Sequence, residues 1–305
     1  MNILSLFDGI SCGQIALNRV GIQYDNYYAS EIDKYAIQVT MHNYPNTIQL
    51  GDVTKIDVSA LPKIDLLIGG SPCQGFSFAG KQLNFNDPRS KLFFEFVRIL
   101  NECKPKYFLL ENVVMKKEYQ DIISKSLGVE PIKINSALVS AQNRVRLYWT
   151  NIPGVNLPDD RGITLDSILE INLNGNPAAF RGRQLNKATI LGRRLNEFGV
   201  RQDYNTKIPY TQCLEVRASN IDKSNCLTTV DKDNVLTSLP IGRYANVFKD
   251  KLSFRYYSLV EYERLQTIPE GFTNNVSESR AKKLIGNGWT VDVIAHIFKE
   301  LKNNI

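Results

Sequence analysis

The chain has 305 residues, 43% of them hydrophobic and 22% charged, the balance of a globular protein with one large core or two smaller ones. No run approaches the roughly 18 apolar residues of a membrane span, and the opening "MNILSLFDGI" carries an early acid and no basic leader, so neither a transmembrane helix nor a secretory signal is expected. A net charge of +6 suits a polyanionic partner, while Cys12, Cys73, Cys103, Cys213 and Cys226, odd in number and without a CxxC pair, argue for a reducing, cytoplasmic compartment and against a disulfide framework or a zinc site.

In chain order, "NILSLF" reads as a buried strand and "GQIALNRVG" as a helix stopped by Gly21. "YDNYYAS" predicts a second strand and "DKYAIQVTMHNY" a second helix with Asp33 as its N-cap. "TIQLGDV" and "IDLLIGG" predict the third and fourth strands. "DPRSKLFFEFVRILNEC" predicts a long helix with Asp87 as N-cap and Pro88 at its first position. "KYFLLENV", "PIKINSALVS" and "RLYWTNI" predict three more strands. This βαβα rhythm implies an α/β fold with a parallel sheet covered by helices on both faces, in which ligands bind at the carboxyl ends of the strands. Those ends carry Asp8–Gly13, Glu31, Asp52, Ser71–Cys73 and Glu111–Asn112. From about residue 154 to 250 the rhythm fails, and Asn, Gly, Arg and Thr dominate. Helical patterns return in "SLVEYERLQTI", "SESRAKKLI" and "TVDVIAHIFKELK". The predicted organisation is a discontinuous first domain, 1–153 plus 251–305, around a smaller, irregular second domain, 154–250.

The glycine turn "LFDGISCGQIAL" lets backbone approach a ligand closely, but it lacks the GxGxxG spacing of a pyrophosphate cradle, which disfavours NAD and FAD. Glu31 ends the second strand, where a carboxylate can take both hydroxyls of a ribose. Asp52 ends the third, where it can accept from an adenine amino group. Both acids could instead be helix caps. An adenosine without phosphates held by two acids points to S-adenosyl-L-methionine, whose cationic sulfonium also tolerates Asp8 nearby. "GGSPCQGFSFAGK" sets Cys73 after a proline in a glycine-rich loop, an unusual place for a thiol that only fills a core.

In order, "LFDGISCG", "SEID", "GDV", "GGSPCQGFS", "ENV", "QNRVRLYW", "YERLQTIP" and "GNGWTVDVIAHI" make the chain resemble the DNA cytosine-5 methyltransferases along nearly its whole length, the middle region least. "LSLFDGI", "IGGSPC", "LFFEF", "ENVV" and "GNGWTVDVI" look most like the catalytic domain of the animal de novo enzymes, here in a stand-alone, bacterial- or phage-type chain. The resemblance implies a Rossmann-like class I S-adenosylmethionine-dependent methyltransferase fold, with residues 154–250 as a target-recognition domain. It places Phe7, Asp8, Gly9, Ile10 and Gly13, then Glu31, Ile32, Asp52, Val53 and Pro72, around the cofactor. Asn287, Trp289 and Val291 complete that set, although Trp289 also reads as ordinary core.

The chemistry explains the residue types. Cytosine C5 is a poor nucleophile until a thiolate adds to C6 and turns the ring into an enamine. Cys73 would supply that thiolate, which adds well and can leave again. Glu111 would share a proton with N3, and so must be protonated when the base is bound. Arg146 would hydrogen-bond O2, and Arg144 would either support the site or bind the adjacent phosphate. The base must leave the double-stranded DNA stack, with Gln74 and Ser77 closing behind it. Arg181, Arg183, Arg193 and Arg194 would meet phosphates or guanines. Thr228 or Thr229 would lie near the flipped nucleotide's phosphate. A transfer RNA cytosine-5 methyltransferase shares fold and chemistry, though "QGFS" and the long middle region favour DNA. A catalytically dead DNA-binding relative would lack Cys73 or Glu111. A cognate restriction endonuclease is a further expected partner; the recognised sequence and the oligomeric state are not legible.

Overall fold

The computed structural model describes residues 1–72, 88–170, 185–198, 200–202, 204–216, 222–227, 235–237, 244–246 and 254–305. The first strand, β1 (Asn2–Leu6), leads through the glycine turn into helix α1 (Cys12–Val20), which Gly21 closes in the left-handed conformation at φ 72°. Strand β2 (Asn26–Ser30) feeds α2 (Lys34–Asn43), whose N-cap Asp33 accepts from Tyr35 N and Ala36 N, as expected for that residue. The third strand is shorter than predicted. Only Ile48–Gln49 forms β3, because Gly51 turns the chain at φ 71° and Asp52 caps a single 3₁₀ turn. Strand β4 (Leu66–Gly69) and α3 (Pro88–Cys103) follow, then β5 (Tyr107–Val113). The N-cap predicted at Asp87 lies outside the described residues.

Helix α4 (Lys117–Leu127) was not among the predicted elements. Its start has no side-chain cap, so the start signal was missing, although Tyr119, Ile123 and Leu127 repeat at helical spacing and are buried. Strands β6 (Ile132–Asn135) and β7 (Val145–Thr150) complete a seven-stranded sheet of order β3-β2-β1-β4-β5-β7-β6. The prediction of a parallel sheet needs one correction: β7 runs antiparallel to both its neighbours. The turn from β6 back into β7 is short, and a short connection can join only antiparallel strands.

The strands alternate strictly between two cores. Ile3, Leu66, Ile68, Tyr107 and Leu109 belong to one apolar cluster, and Leu4, Leu6, Leu67, Phe108 and Leu110 to the other. The first cluster is covered by α1 and by the last helix, α7 (Val291–Lys302); the second by α3 and α4. Each fully buried Leu or Ile contributes about 1.5–3 kcal/mol, so this two-faced burial is what holds the sheet between its helix layers. Its parity also fixes the site. Gly70 stands two residues after Ile68, and Glu111 two after Leu109, so both fall on the α1/α7 face.

The middle region forms a second sheet, entirely antiparallel among the described residues, of order β11-β9-β8-β10-β12. Its strands are β8 (Asn186–Arg193), β9 (Thr211–Val216), β10 (Val235–Thr237), β11 (Tyr244–Asn246) and β12 (Phe254–Tyr256). Ala188, Ile190, Leu214, Val216 and Val235 form its small core. The chain then runs into α5 (Leu259–Leu265), α6 (Glu278–Asn287) and α7. Helix α5 opens with a capping box between Ser258 and Glu261.

Glu261 is wholly buried. Its carboxylate takes both terminal nitrogens of Arg255 at 2.7 Å, the Glu170 amide at 2.9 Å and the Ser258 amide at 2.9 Å. One carboxylate therefore ties the segment that leaves the first sheet to the segment that returns from the second. Replacing Glu261 with Ala strands a buried guanidinium, and the expected loss is about 3–5 kcal/mol in urea denaturation; a change under about 1 kcal/mol would mean the pair is not buried as described.

Candidate functional site

A cavity of about 360 Å³ opens at the carboxyl ends of β1, β2, β4 and β5. The sheet order reverses between β1 and β4, where open α/β sheets bind ligands. Its floor is the glycine turn. Phe7, Gly9 and Ser11 all adopt left-handed backbone, at φ 57°, 60° and 57°. For a residue as bulky as Phe7 this conformation is costly and persists only where surrounding bonds enforce it. The Asp8 amide donates to Ser30 O at 3.1 Å, the Ser11 amide to Asp8 O at 3.2 Å, and the Gly9 amide to Glu31 Oε2 at 2.8 Å.

Asp8 points into this floor and accepts from Ser11 Oγ and, at 2.8 Å, from the Tyr27 hydroxyl. Burial pushes its acid up to about 6, with nearby Glu31 adding to the rise and hydrogen bonds from Ser11, Ser5 and Tyr27 opposing it. Glu31 is held more tightly than a free ribose ligand would be. Its Oε1 accepts the Ile32 and Asp33 amides at 2.7 and 2.8 Å, and its Oε2 accepts Gly9. A carboxylate has about four in-plane acceptor positions, so the remaining one is on Oε2. The expected grip on two ribose hydroxyls narrows to that oxygen.

The far wall carries the catalytic candidates. Glu111 lies opposite Tyr148 in the β5–β7 ladder, and Arg146 lies opposite Val113. Residues 111 and 113 share a face, so Arg146 is a diagonal neighbour of Glu111. Arg146 Nε sits 3.0 Å from Glu111 Oε1, and Trp289 Nε1 donates to Glu111 Oε2 at 3.2 Å. Arg146 Nη1 donates to its own strand at Val145 O, 2.8 Å, and Nη2 reaches Cys226 Sγ at 3.8 Å. Asn112 Nδ2 donates to Ser71 Oγ at 3.1 Å, which fixes the start of the Ser71–Pro72 segment beside Glu111. Cys73, Gln74 and Ser77, the next expected site residues, lie outside the described residues, as do Arg181, Arg183, Thr228 and Thr229.

Phe7, Asp8, Gly9, Glu31, Pro72, Glu111, Arg144, Arg146, Asn287 and Trp289 all line the cavity. Other expected cofactor residues lie elsewhere. Ile10, Val53 and Val291 are buried in the cores. Gly13 lies in the first turn of α1, where a Cβ would sit 2.5 Å from Ile68 Cδ1 and 2.8 Å from the Tyr27 hydroxyl. The Ile32 side chain is exposed, and only its amide serves the site, through Glu31. Asp52 caps its own turn through the Thr54 amide and hydroxyl, which hold its acid below the ordinary range.

The arginines divide differently from expectation. Arg144 is buried, and its Nη1 donates to Leu227 O and Gly286 O, its Nη2 to Gly288 O at 2.9 Å. It joins three chain segments beside the cavity, the supporting arrangement of the two expected for it. Arg193 pairs with Glu215 at 2.9 Å. Arg194 donates to Asn205 O and Ile208 O and lies over the Tyr210 ring. Both guanidiniums are engaged by partners within the second sheet and its loops. Gly70, Asn112, Gln142, Cys226 and Gln266 were not assigned roles from sequence. The motifs "IGGSPC", "ENV", "QNRVRLYW" and "YERLQTIP" contain four of them and were the available signal.

The donor set suits an adenosine-type cofactor with a cationic centre. Two carboxylates meet at the glycine turn, and the basic residues lining the cavity, Arg144 and Arg146, are both turned to protein partners.

The sequence profile of the C-5 cytosine-specific DNA methylase family matches residues 1–127. The type II methyltransferase M1.ScrFI of Lactococcus lactis subsp. cremoris is 30% identical over 98% of this chain and 77% of its own length. The orphan methyltransferase M.Rho11sI of Bacillus phage rho11s is 34% identical over 65% of this chain, and the match spans only 43% of that phage protein. Among solved structures, a DNMT2 mutant from Spodoptera frugiperda shares the fold, with a TM-score of 0.67 at 21% identity over 99% of both chains. The chain belongs to the C-5 cytosine-specific DNA methylase family, on a class I methyltransferase fold.

The raised acid of Asp8 has a measurable consequence. A group protonated more readily when folded adds stability that is full below its unfolded value and lost as pH rises through about 6. Asp8→Asn should thus stabilise the protein at pH 8 by about 1–3 kcal/mol, an advantage absent at pH 4. Equal denaturation midpoints for the two proteins at pH 8 would contradict the burial of this charge.

Proposed function

We propose that the chain methylates C5 of a cytosine swung out of duplex DNA, through a covalent bond between Cys73 Sγ and cytosine C6. The observation that carries the reading is the Glu111–Arg146 pair, set side by side on the wall of a cavity that also includes Pro72, the residue before Cys73. Asp8, Glu31, Phe7, Asn287 and Trp289 are the residues that would hold S-adenosylmethionine. When bound, the cofactor supplies an electrophilic methyl group on a cationic sulfonium.

The protein's own part is to make C5 reactive. Cys73 as thiolate adds to C6, and the electron pair displaced from the C5–C6 bond moves toward N3 and O2. Glu111, having taken up a proton from solvent by the time the base is bound, gives it to N3, and Arg146 turns a guanidinium N–H toward O2, so that the developing charge is met by fixed donors. Val145 O and Cys226 Sγ release those donors as the base enters. Once C5 carries its new methyl group, loss of the C5 proton to a base restores the C5–C6 double bond and expels Cys73. Residues 154–250, which supply all of the second sheet but its edge strand β12, act as the target-recognition element. A cognate endonuclease and a cytoplasmic location accord with this reading.

Methyl transfer to duplex DNA and to transfer RNA, measured side by side, tests the substrate. Label should enter DNA, and bisulfite sequencing should then give the site. Cys73→Ser should abolish turnover with cofactor binding intact, and Glu111→Gln should lower kcat about 10²–10⁴-fold. Labelled transfer RNA beside unlabelled DNA would overturn the substrate, and normal turnover by Cys73→Ser would overturn the nucleophile.

A further inference from the structure

We propose that Trp289 is a positioning residue that couples the cofactor side of the cavity to Glu111 on its base side. The inference rests on the methyltransferase reading above and assigns a task to one N–H group. Trp289 Nε1 donates to Glu111 Oε2 at 3.2 Å, while Arg146 Nε approaches Oε1 at 3.0 Å. The terminal torsion of a glutamate is otherwise broad, and two donors on opposite oxygens fix it. The same indole lines the cavity together with Phe7, Asp8 and Gly9.

Gly70 shows how closely this contact is enclosed. A Cβ there would lie 2.9 Å from Trp289 Nε1 and 3.1 Å from Glu111 Oε2, so only bare backbone passes beside the hydrogen bond. The chain on either side of the indole is anchored as well. Gly288 O accepts from Arg144 Nη2 at 2.9 Å and from Gln266 Nε2 at 3.2 Å. Thr290 Oγ1 donates to Gln266 Oε1 at 2.7 Å. Anchored at its backbone, Trp289 lines the cavity and reaches the acid with its ring nitrogen. Filling the cofactor side therefore sets the acid for the base, and by linkage an ordered base favours the cofactor.

Trp289→Phe keeps an aromatic ring and removes the donor. Its dissociation constant for S-adenosylhomocysteine should stay within about threefold of wild type, while kcat on the duplex site found by bisulfite sequencing falls at least about tenfold. Duplex affinity should be measured with and without S-adenosylhomocysteine. The gain seen in wild type should shrink at least about fivefold in the variant. Gly70→Ala, which intrudes on the same hydrogen bond with Trp289 in place, should reproduce the loss of kcat. An unchanged gain overturns the coupling whatever kcat does, and equal losses of cofactor affinity and kcat reduce the indole to packing. A wild-type protein that methylates no duplex overturns the function itself, and this inference with it.

Discussion

Arg146 meets Glu111 because β7 runs against β5. Had β7 been parallel, like the strands on the other side of β5, it would have required a long crossover, and the register that sets residue 146 opposite 113 would not arise. In the antiparallel ladder the two side chains are diagonal neighbours on the α1/α7 face, close enough for the 3.0 Å ion pair to form. The alternation that buries Leu109 beneath α7 is the same alternation that turns Glu111 toward Trp289. Chemistry and core packing are thus two readings of one period-two pattern.

Around this pair, buried polar groups hold separate pieces of chain in register. Arg144 draws together Leu227 and the Gly286–Gly288 turn. Gln142 reaches Leu265 O and Gln266 Oε1 with its nitrogen and accepts the Leu227 amide with its oxygen. Glu261 binds both crossings between the sheets. Each group is costly to bury alone and specific once satisfied. Together they make the cavity a joint product of β7, the middle region and the segment between α6 and α7, although the lining residues come from distant parts of the sequence.

The fold was legible wherever local signals coincided. Gly21, Asp33 and the apolar runs of β1, β4 and β5 combine period, cap and breaker, and those elements stand where the pattern puts them. Helix α4 lacked a cap, β3 was cut short by Gly51, and the direction of β7 depends on its partners rather than on its own residues. In the site, residues with unusual chemistry at strand ends, Asp8, Glu31, Glu111 and Arg146, were visible as types in a pattern. What could not be read was how their bonds are shared. Whether Glu31 has one open acceptor or several depends on the Gly9 amide, and whether Arg193 and Arg194 are free depends on Glu215 and Tyr210 across the second sheet. Gly70 illustrates the same limit: its need to be glycine comes from Trp289, which is remote in sequence and adjacent in space.

The proposed reaction turns on a reversible bond from a cysteine sulfur to a cytosine held between Glu111 and Arg146. A duplex carrying 5-fluorocytosine at the target position traps that bond, because fluorine at C5 cannot leave as a proton does. Intact-mass and peptide analysis should show one protein joined to one duplex, with the link on Cys73. A link on Cys226 or another cysteine, or no adduct from an enzyme that methylates ordinary cytosine, would contradict it.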